Sequence, residues 1–193
     1  MSKNPDWKEY YRDTKDKPPS PLLVQALEYV QNKEKAIDIG GGALKDTRFL
    51  IEQGFEVTVI DKEESLVDMV ASLDSERVHP IVSSFVDFDF PVGEYDIASA
   101  MYSLPFNSPE TFDRVFGHIK NSLAPQGIFC GQFFGTKDEW RNNPKMSFHT
   151  KSQVEEYLDD MEILKLTEEE RDGKTANGQP KHWHIIHFIA RKI

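Results

Sequence analysis

Cysteine is nearly absent from this chain: Cys130 is the single one in 193 residues. That excludes an intrachain disulfide and a zinc site built on several thiolates. The residue lies in the apolar run Gly127-Ile128-Phe129-Cys130-Gly131, where it reads as a buried structural thiol. Long apolar runs are missing too, since none approaches the roughly 20 residues that span a bilayer, and the opening Met-Ser-Lys-Asn-Pro-Asp holds no apolar signal core. A cytoplasmic location without membrane attachment is the expectation. Positive charge is in deficit: 23 Lys and Arg against 33 Asp and Glu leave a net charge of −10, which repels a phosphate backbone and argues against nucleic acid as a partner. No internal repeat or low-complexity segment is present. With 38% hydrophobic and 29% charged residues the composition is that of an ordinary globular chain, long enough for one domain with its own core.

Residues 1–20 mix Trp7, Tyr10 and Tyr11 with charges of both signs and close on Pro18-Pro19-Ser20-Pro21, which reads as an arm leading into a domain at residues 21–193. Ser20 can cap a helix with Pro21 at its first position, and Leu22, Leu23, Ala26, Leu27 and Val30 continue at helical spacing to about Asn32. After it, short apolar runs alternate with helical segments, the signature of βαβ units and a parallel sheet. Strands are expected at residues 36–39, 56–60, 78–82, 96–101 and 128–134, with helices at 47–53, 63–73 and from Ser108-Pro109-Glu110 through Leu123. Thr150 and Gln153 have capping-box spacing for a short helix through Leu158. The last two strands, near 161–168 and 182–190, are separated by a stretch too short and too rich in helix breakers for a crossover helix, so they pair antiparallel. The expected fold is α/β: a Rossmann-like, seven-stranded, mostly parallel sheet with helices on both faces and a terminal antiparallel pair.

One motif carries chemistry. Asp38-Ile39-Gly40-Gly41-Gly42 places a glycine triplet where the first strand meets its helix, at the carboxyl edge of the sheet where open α/β folds bind ligands. Asp61 ends the second strand, where a carboxylate can accept both hydroxyl hydrogens of a ribose. The pair points to a nucleoside-containing cofactor. The dinucleotide pattern G-x-G-x-x-G fails, because its third glycine falls at Lys45 or at Ala43, and the phosphate loop G-x-x-x-x-G-K-[ST] has no match.

The D-x-G-x-G pattern resembles that of class I S-adenosylmethionine-dependent methyltransferases, and the likeness runs from about residue 20 to the end. It implies S-adenosyl-L-methionine as cofactor, with Asp38, Gly40, Gly41 and Gly42 along its methionine and ribose portions and Asp61 on the ribose. By the same resemblance Ser84 and Phe85, with Asp87 as the nearest acid, sit at the adenine, and Ala100 and Met101 at the methionine end. The opening Asp-Trp-Lys-Glu-Tyr-Tyr-Arg and the Ser103-Leu104-Pro105-Phe106 segment look like small-molecule methyltransferases of the tellurite-resistance type. That implies an arm closing over the cofactor, with Trp7, Tyr11 and Arg12 contacting substrate or the cofactor carboxylate.

Tyr102, Phe106 and His149 complete the candidates for the acceptor pocket, His149 being as well suited to scaffolding as to proton transfer. No catalytic dyad is visible, which suits an acceptor that arrives ionised, such as a soft nucleophile or metalloid oxyanion. His182 and His184 share one strand face but lack a third ligand at a supporting spacing, so no metal is expected. The rival readings are an NAD(P)-dependent oxidoreductase and a non-catalytic nucleoside-binding protein.

Overall fold

The computed structural model describes residues 14, 17–73, 75–175 and 178–193. One mixed sheet organises them. Its strands are β1 (Lys35–Ile39), β2 (Glu56–Asp61), β3 (Val78–Val82), β4 (Tyr95–Ala100), β5 (Leu123–Gly135), β6 (Phe148–His149), β7 (Met161–Lys174) and β8 (Pro180–Lys192). They lie in the order β3-β2-β1-β4-β5-β8-β7, with β6 pairing to β5. The first five strands of that path run parallel, while β8 is antiparallel to both β5 and β7. Helices spanning described residues are α1 (Pro21–Ala26), α2 (Lys45–Glu52), α3 (Ser65–Ala71), α4 (Pro109–Ser122) and α5 (Lys151–Tyr157).

The expected sheet is present, with differences that have local causes. The first helix stops at Ala26 and tightens into a 3-10 turn at Leu27–Tyr29. Ser20 precedes it without capping, because its hydroxyl donates instead to Asp46 Oδ2 at 2.8 Å. The second helix starts two residues early, at Lys45, since Leu44 turns the chain through a left-handed conformation (φ 61°). β7 and β8 extend beyond the expected limits, so Arg171–Lys174 and Pro180-Lys181 are ladder residues rather than turn. β6 is an addition, docking beside the carboxyl end of β5 through Phe134↔Phe148 and Gly135↔His149. At Thr150 the capping box forms as expected: its hydroxyl takes the Gln153 amide while Gln153 reaches back to the Thr150 amide.

Period-two alternation in the strands divides the core. One face packs Ile37, Ile39, Ala98, Ala100 and Phe129 against the α4 stripe of Phe112, Val115, Phe116 and Ile119. The other packs Ala36, Ile97, Ile128, Cys130 and Ile189 against Leu22, Leu23 and Ala26 of α1. Cys130 is fully buried there with its thiol pushed well up by burial, the inert residue its surroundings in the sequence suggested. Among the described residues no helix is long and apolar enough to cross a membrane.

Candidate functional site

The carboxyl edge of β1, β2 and β4 is built for close approach. Gly40 (φ 78°) and Gly42 (φ 52°) hold left-handed conformations that an L side chain resists. A Cβ at Gly40 would lie 2.5 Å from Ser103 Cβ, and one at Gly41 would run into Val59 Cγ2. The Gly40 and Gly41 amides both donate to Ile60 O, at 2.8 and 3.2 Å, tying the loop to the end of β2. Asp61 follows directly. Its Oδ2 accepts the Gly42 amide at 3.0 Å and its Oδ1 the Glu63 amide at 3.1 Å. Two main-chain donors thus hold the carboxylate beside the glycines, and a carboxylate is the acceptor that suits a vicinal diol. The glycine cradle, which a side chain would fill, and the acid held against it fit an adenosine-type cofactor, the group the sequence pointed to.

Behind the loop is a buried acidic pair. Asp38 accepts from the Thr47 hydroxyl at 2.6 Å, and Asp46 accepts the Ser20 amide at 2.6 Å and Lys45 Nζ at 2.9 and 3.0 Å. Burial, reinforced by the charge of Asp46, pushes the Asp38 carboxyl up from 3.8 to about 7. Because the folded value lies above the unfolded one, the folded state binds more protons in that window. Asp38 therefore contributes stability at acid pH that is lost as pH rises from 3.8 toward about 7. Thermal unfolding of the ligand-free protein across that range should show this decline, and Asp38→Asn, neutral throughout, should flatten it; an unchanged slope in the variant refutes the assignment.

At the segment that the resemblance assigns to the adenine, Ser84 and Asp87 bond each other rather than facing outward separately: Ser84 Oγ donates to Asp87 Oδ2 at 2.6 Å, and Ser84 O takes the Asp87 and Phe88 amides. The turn presents the Phe85 ring beside Gly40. Ala100 is fully buried at the end of β4, and Met101 follows half-buried, its sulfur accepting from Gln132 Nε2 at 3.5 Å. All these candidates gather on the edge formed by β1, β2, β3 and β4.

The proposed acceptor residues separate. Tyr102, at φ 59°, joins Phe134, Trp140, Trp183, Phe148 and Met146 in an aromatic cluster, and Phe106 lies 6.4 Å from the Phe134 and Trp140 rings. His149 lies elsewhere, enclosed by Phe112, Phe133 and Tyr157 with centroids 4.5–5.3 Å away, and burial holds it down at about 4. Trp7, Tyr11 and Arg12 lie outside the described residues. His182 bonds Asp172 and Glu170, while His184 takes the Lys137 amide on Nδ1 and bonds Glu168 through Nε2, so both are engaged in the β7–β8 ribbon. Among the described residues no group of three or more His, Cys, Asp or Glu is disposed to hold a metal ion.

Two features escaped the sequence reading. Gln132 clamps the end of β4, accepting the Tyr102 amide at 2.8 Å while it holds Met101. Lys181 and Asp138 form a fully buried ion pair at 2.5 and 2.6 Å, the ammonium set 3.6 Å from the Trp183 ring centroid and 4.3 Å from that of Trp140. The residues are 43 apart and carry no joint signal in the sequence.

Comparison with known proteins bears on the fold. Residues 36–127 match the family described as a methyltransferase domain. No curated protein sequence matches significantly. Solved structures share the fold. A Burkholderia thailandensis 1,6-didemethyltoxoflavin-N1-methyltransferase, with bound substrate and S-adenosylhomocysteine, superposes at TM-score 0.74 and 19% identity over 97% of this chain and 85% of its own. TehB from Haemophilus influenzae gives 0.75 at 16% over 89% of this chain and 61% of its own. The N-methyltransferase NodS from Bradyrhizobium japonicum, in complex with S-adenosylhomocysteine, gives 0.68 at 13% over 96% and 97%.

Proposed function

We propose that this chain is an S-adenosylmethionine-dependent methyltransferase, a reading supported by the methyltransferase-domain match over residues 36–127, and that it methylates a small molecule in the cytoplasm and releases S-adenosylhomocysteine. The observation that carries the reading is the Gly42–Asp61 contact, which joins the glycine cradle to a ribose-binding acid across β1 and β2. Asp38 and the loop from Gly40 to Gly42 would hold the methionine and ribose portions, Asp61 the ribose, the Ser84–Asp87 turn with Phe85 the adenine, and Ala100 with Met101 the reacting end. S-adenosylmethionine supplies a methyl group on a sulfonium, which a nucleophile displaces in one in-line step, so the protein's main task is positioning. The cluster of Tyr102, Phe134, Trp140 and Trp183 supports a small organic acceptor beside Met101. The acidic balance disfavours nucleic acid.

Calorimetric titration with S-adenosylhomocysteine, and with NADH in parallel, tests the reading. Saturable binding of the first alone is expected, and binding of NADH instead would overturn it. In the same assay Asp61→Ala should weaken S-adenosylhomocysteine about tenfold or more, the loss of charge-assisted hydrogen bonds to a diol. Unaltered affinity in a folded variant would remove Asp61 from the ribose site.

A further inference from the structure

The aromatic cluster has a polar border that no catalytic assignment has used. In the β5–β8 ladder His187 stands directly opposite Gln132 on the same sheet face. Gln132 in turn holds Met101 Sδ and the Tyr102 amide. His187 is therefore two strand spacings, about 10 Å, from the end of β4, a gap that one flat ring system spans. From β7, Glu169 joins two groups: Oε1 takes Arg171 Nε at 2.5 Å and Oε2 takes His187 Nε2 at 3.3 Å. Since the carboxylate is an acceptor, Nε2 carries the hydrogen and Nδ1 keeps its lone pair. Among the described residues no group bonds that Nδ1. Arg171 lies across the β7–β8 ladder from Trp183, whose ring packs edge-to-face against Tyr102 at 6.4 Å. Tyr102 is held at φ 59°, a conformation costing an aromatic residue about 1–3 kcal/mol, and strain of this kind persists where the surroundings impose it.

We infer that His187, oriented by Glu169, is the proton acceptor of the methyl-transfer site, and that the substrate is a planar aromatic compound bearing an ionisable hydroxyl or ring N–H, seated against Tyr102 and Trp183. The inference rests on the methyl-transfer reading and deepens it. In the step, the acceptor's hydroxyl or N–H proton passes to His187 Nδ1, and the freed electron pair forms the bond to the methyl carbon. The carbon–sulfur bond breaks with its pair left on sulfur, and the imidazolium, paired with Glu169, returns its proton to solvent. The groups facing His187 are Glu169, Arg171 and Lys165 from β7 and the neutral Gln132 from β5. Burial, aided by Lys165 and Arg171 and opposed by Glu169, holds the imidazole below its ordinary value, so it is neutral and able to accept a proton. The Tyr102 hydroxyl is raised by burial and feels Arg171 and Glu169 as well, which brings the aromatic wall and the polar border to one place.

4-Nitrophenol serves as probe, because it titrates near neutrality and only its anion absorbs in the visible. Added to protein saturated with S-adenosylhomocysteine, it should bind, with its apparent ionisation shifted about tenfold in proton concentration toward the anion. His187→Gln should still bind the probe but abolish the shift, and Glu169→Gln should diminish it. Both variants should bind S-adenosylhomocysteine as the parent does, which shows that they are folded. Failure of the parent to bind S-adenosylhomocysteine would count against the methyltransferase reading. Normal cofactor-product binding with no probe binding, or an equal shift in His187→Gln, would overturn the assignment of this site.

Discussion

Asp138→Ala should destabilise the protein by about 3–5 kcal/mol, the cost of leaving a buried charge without its partner. The carboxylate accepts four hydrogen bonds from three donors. Both oxygens take Lys181 Nζ, Oδ1 also takes the Trp140 amide at 2.9 Å, and Oδ2 the His184 amide at 3.3 Å. Without it the ammonium keeps His182 O at 3.4 Å and the ring faces of Trp183, Trp140 and Phe134. Cation–π contacts contribute about 0.5–2 kcal/mol each, less than the desolvation that the carboxylate offsets. Burial draws Lys181 below its ordinary value and Asp138 opposes that shift, so removing the carboxylate leaves the desolvation of the ammonium without its main offset. For a chain of this length the loss corresponds to a fall in Tm of about 10 °C. Calorimetric unfolding measures it, and a loss below about 1 kcal/mol would mean that the pair behaves like a surface bridge. The double variant Asp138→Leu with Lys181→Met should recover much of the loss, since replacing both partners by apolar groups removes the unpaired charge. The consequence reaches the acceptor side, because Trp140 and Trp183 are held around Lys181 and also wall the cluster containing Tyr102.

That ion pair shows which part of the molecule the sequence concealed. The sheet order and the glycine–acid pair rest on local signals: apolar runs at period two, helical stripes such as Phe112, Val115, Phe116 and Ile119, and left-handed positions filled by Gly40 and Gly42. Asp61 was legible because strand length and loop length place it beside the glycines. Lys181, by contrast, sits in Gly178-Gln179-Pro180-Lys181, which reads as a turn, and it becomes a core residue because the β7–β8 ladder runs out to Lys174↔Pro180. His187 and Glu169 meet through the same ribbon, in a register set by hydrogen bonding and a bulge between Ile163 and Lys165 that no spacing rule reveals. His149, singled out for its place in a polar loop, is enclosed in an aromatic box because β6 folds back onto β5. The proposed cofactor side was written locally, whereas the proposed acceptor side is assembled by long-range strand pairing.

The cofactor side accordingly yields the sharpest functional expectation: Gly40→Ala should abolish S-adenosylhomocysteine binding in calorimetry, a loss of about 100-fold or more. Two costs combine. At φ 78° a Cβ carries a penalty of about 1–2 kcal/mol. The added methyl also meets Ser103 Cβ at 2.5 Å and Phe85 Cζ at 3.3 Å. Ser103 has little room to yield, since it is buried and its hydroxyl donates to Ile39 O at 2.5 Å, the carbonyl just before Gly40. Relief must come from the loop itself, which moves Gly41 and Gly42 and with them the amide that fixes Asp61 Oδ2. Shifting the cradle and the ribose acid together is what carries the effect beyond that of Asp61→Ala alone. Adding Ser103→Gly to Gly40→Ala removes the closest clash and leaves the Phe85 contact and the backbone part, so affinity should return in part but not to the parent value. Full recovery would assign the whole effect to crowding, and near-parent affinity in Gly40→Ala itself would show that the cofactor does not depend on this loop.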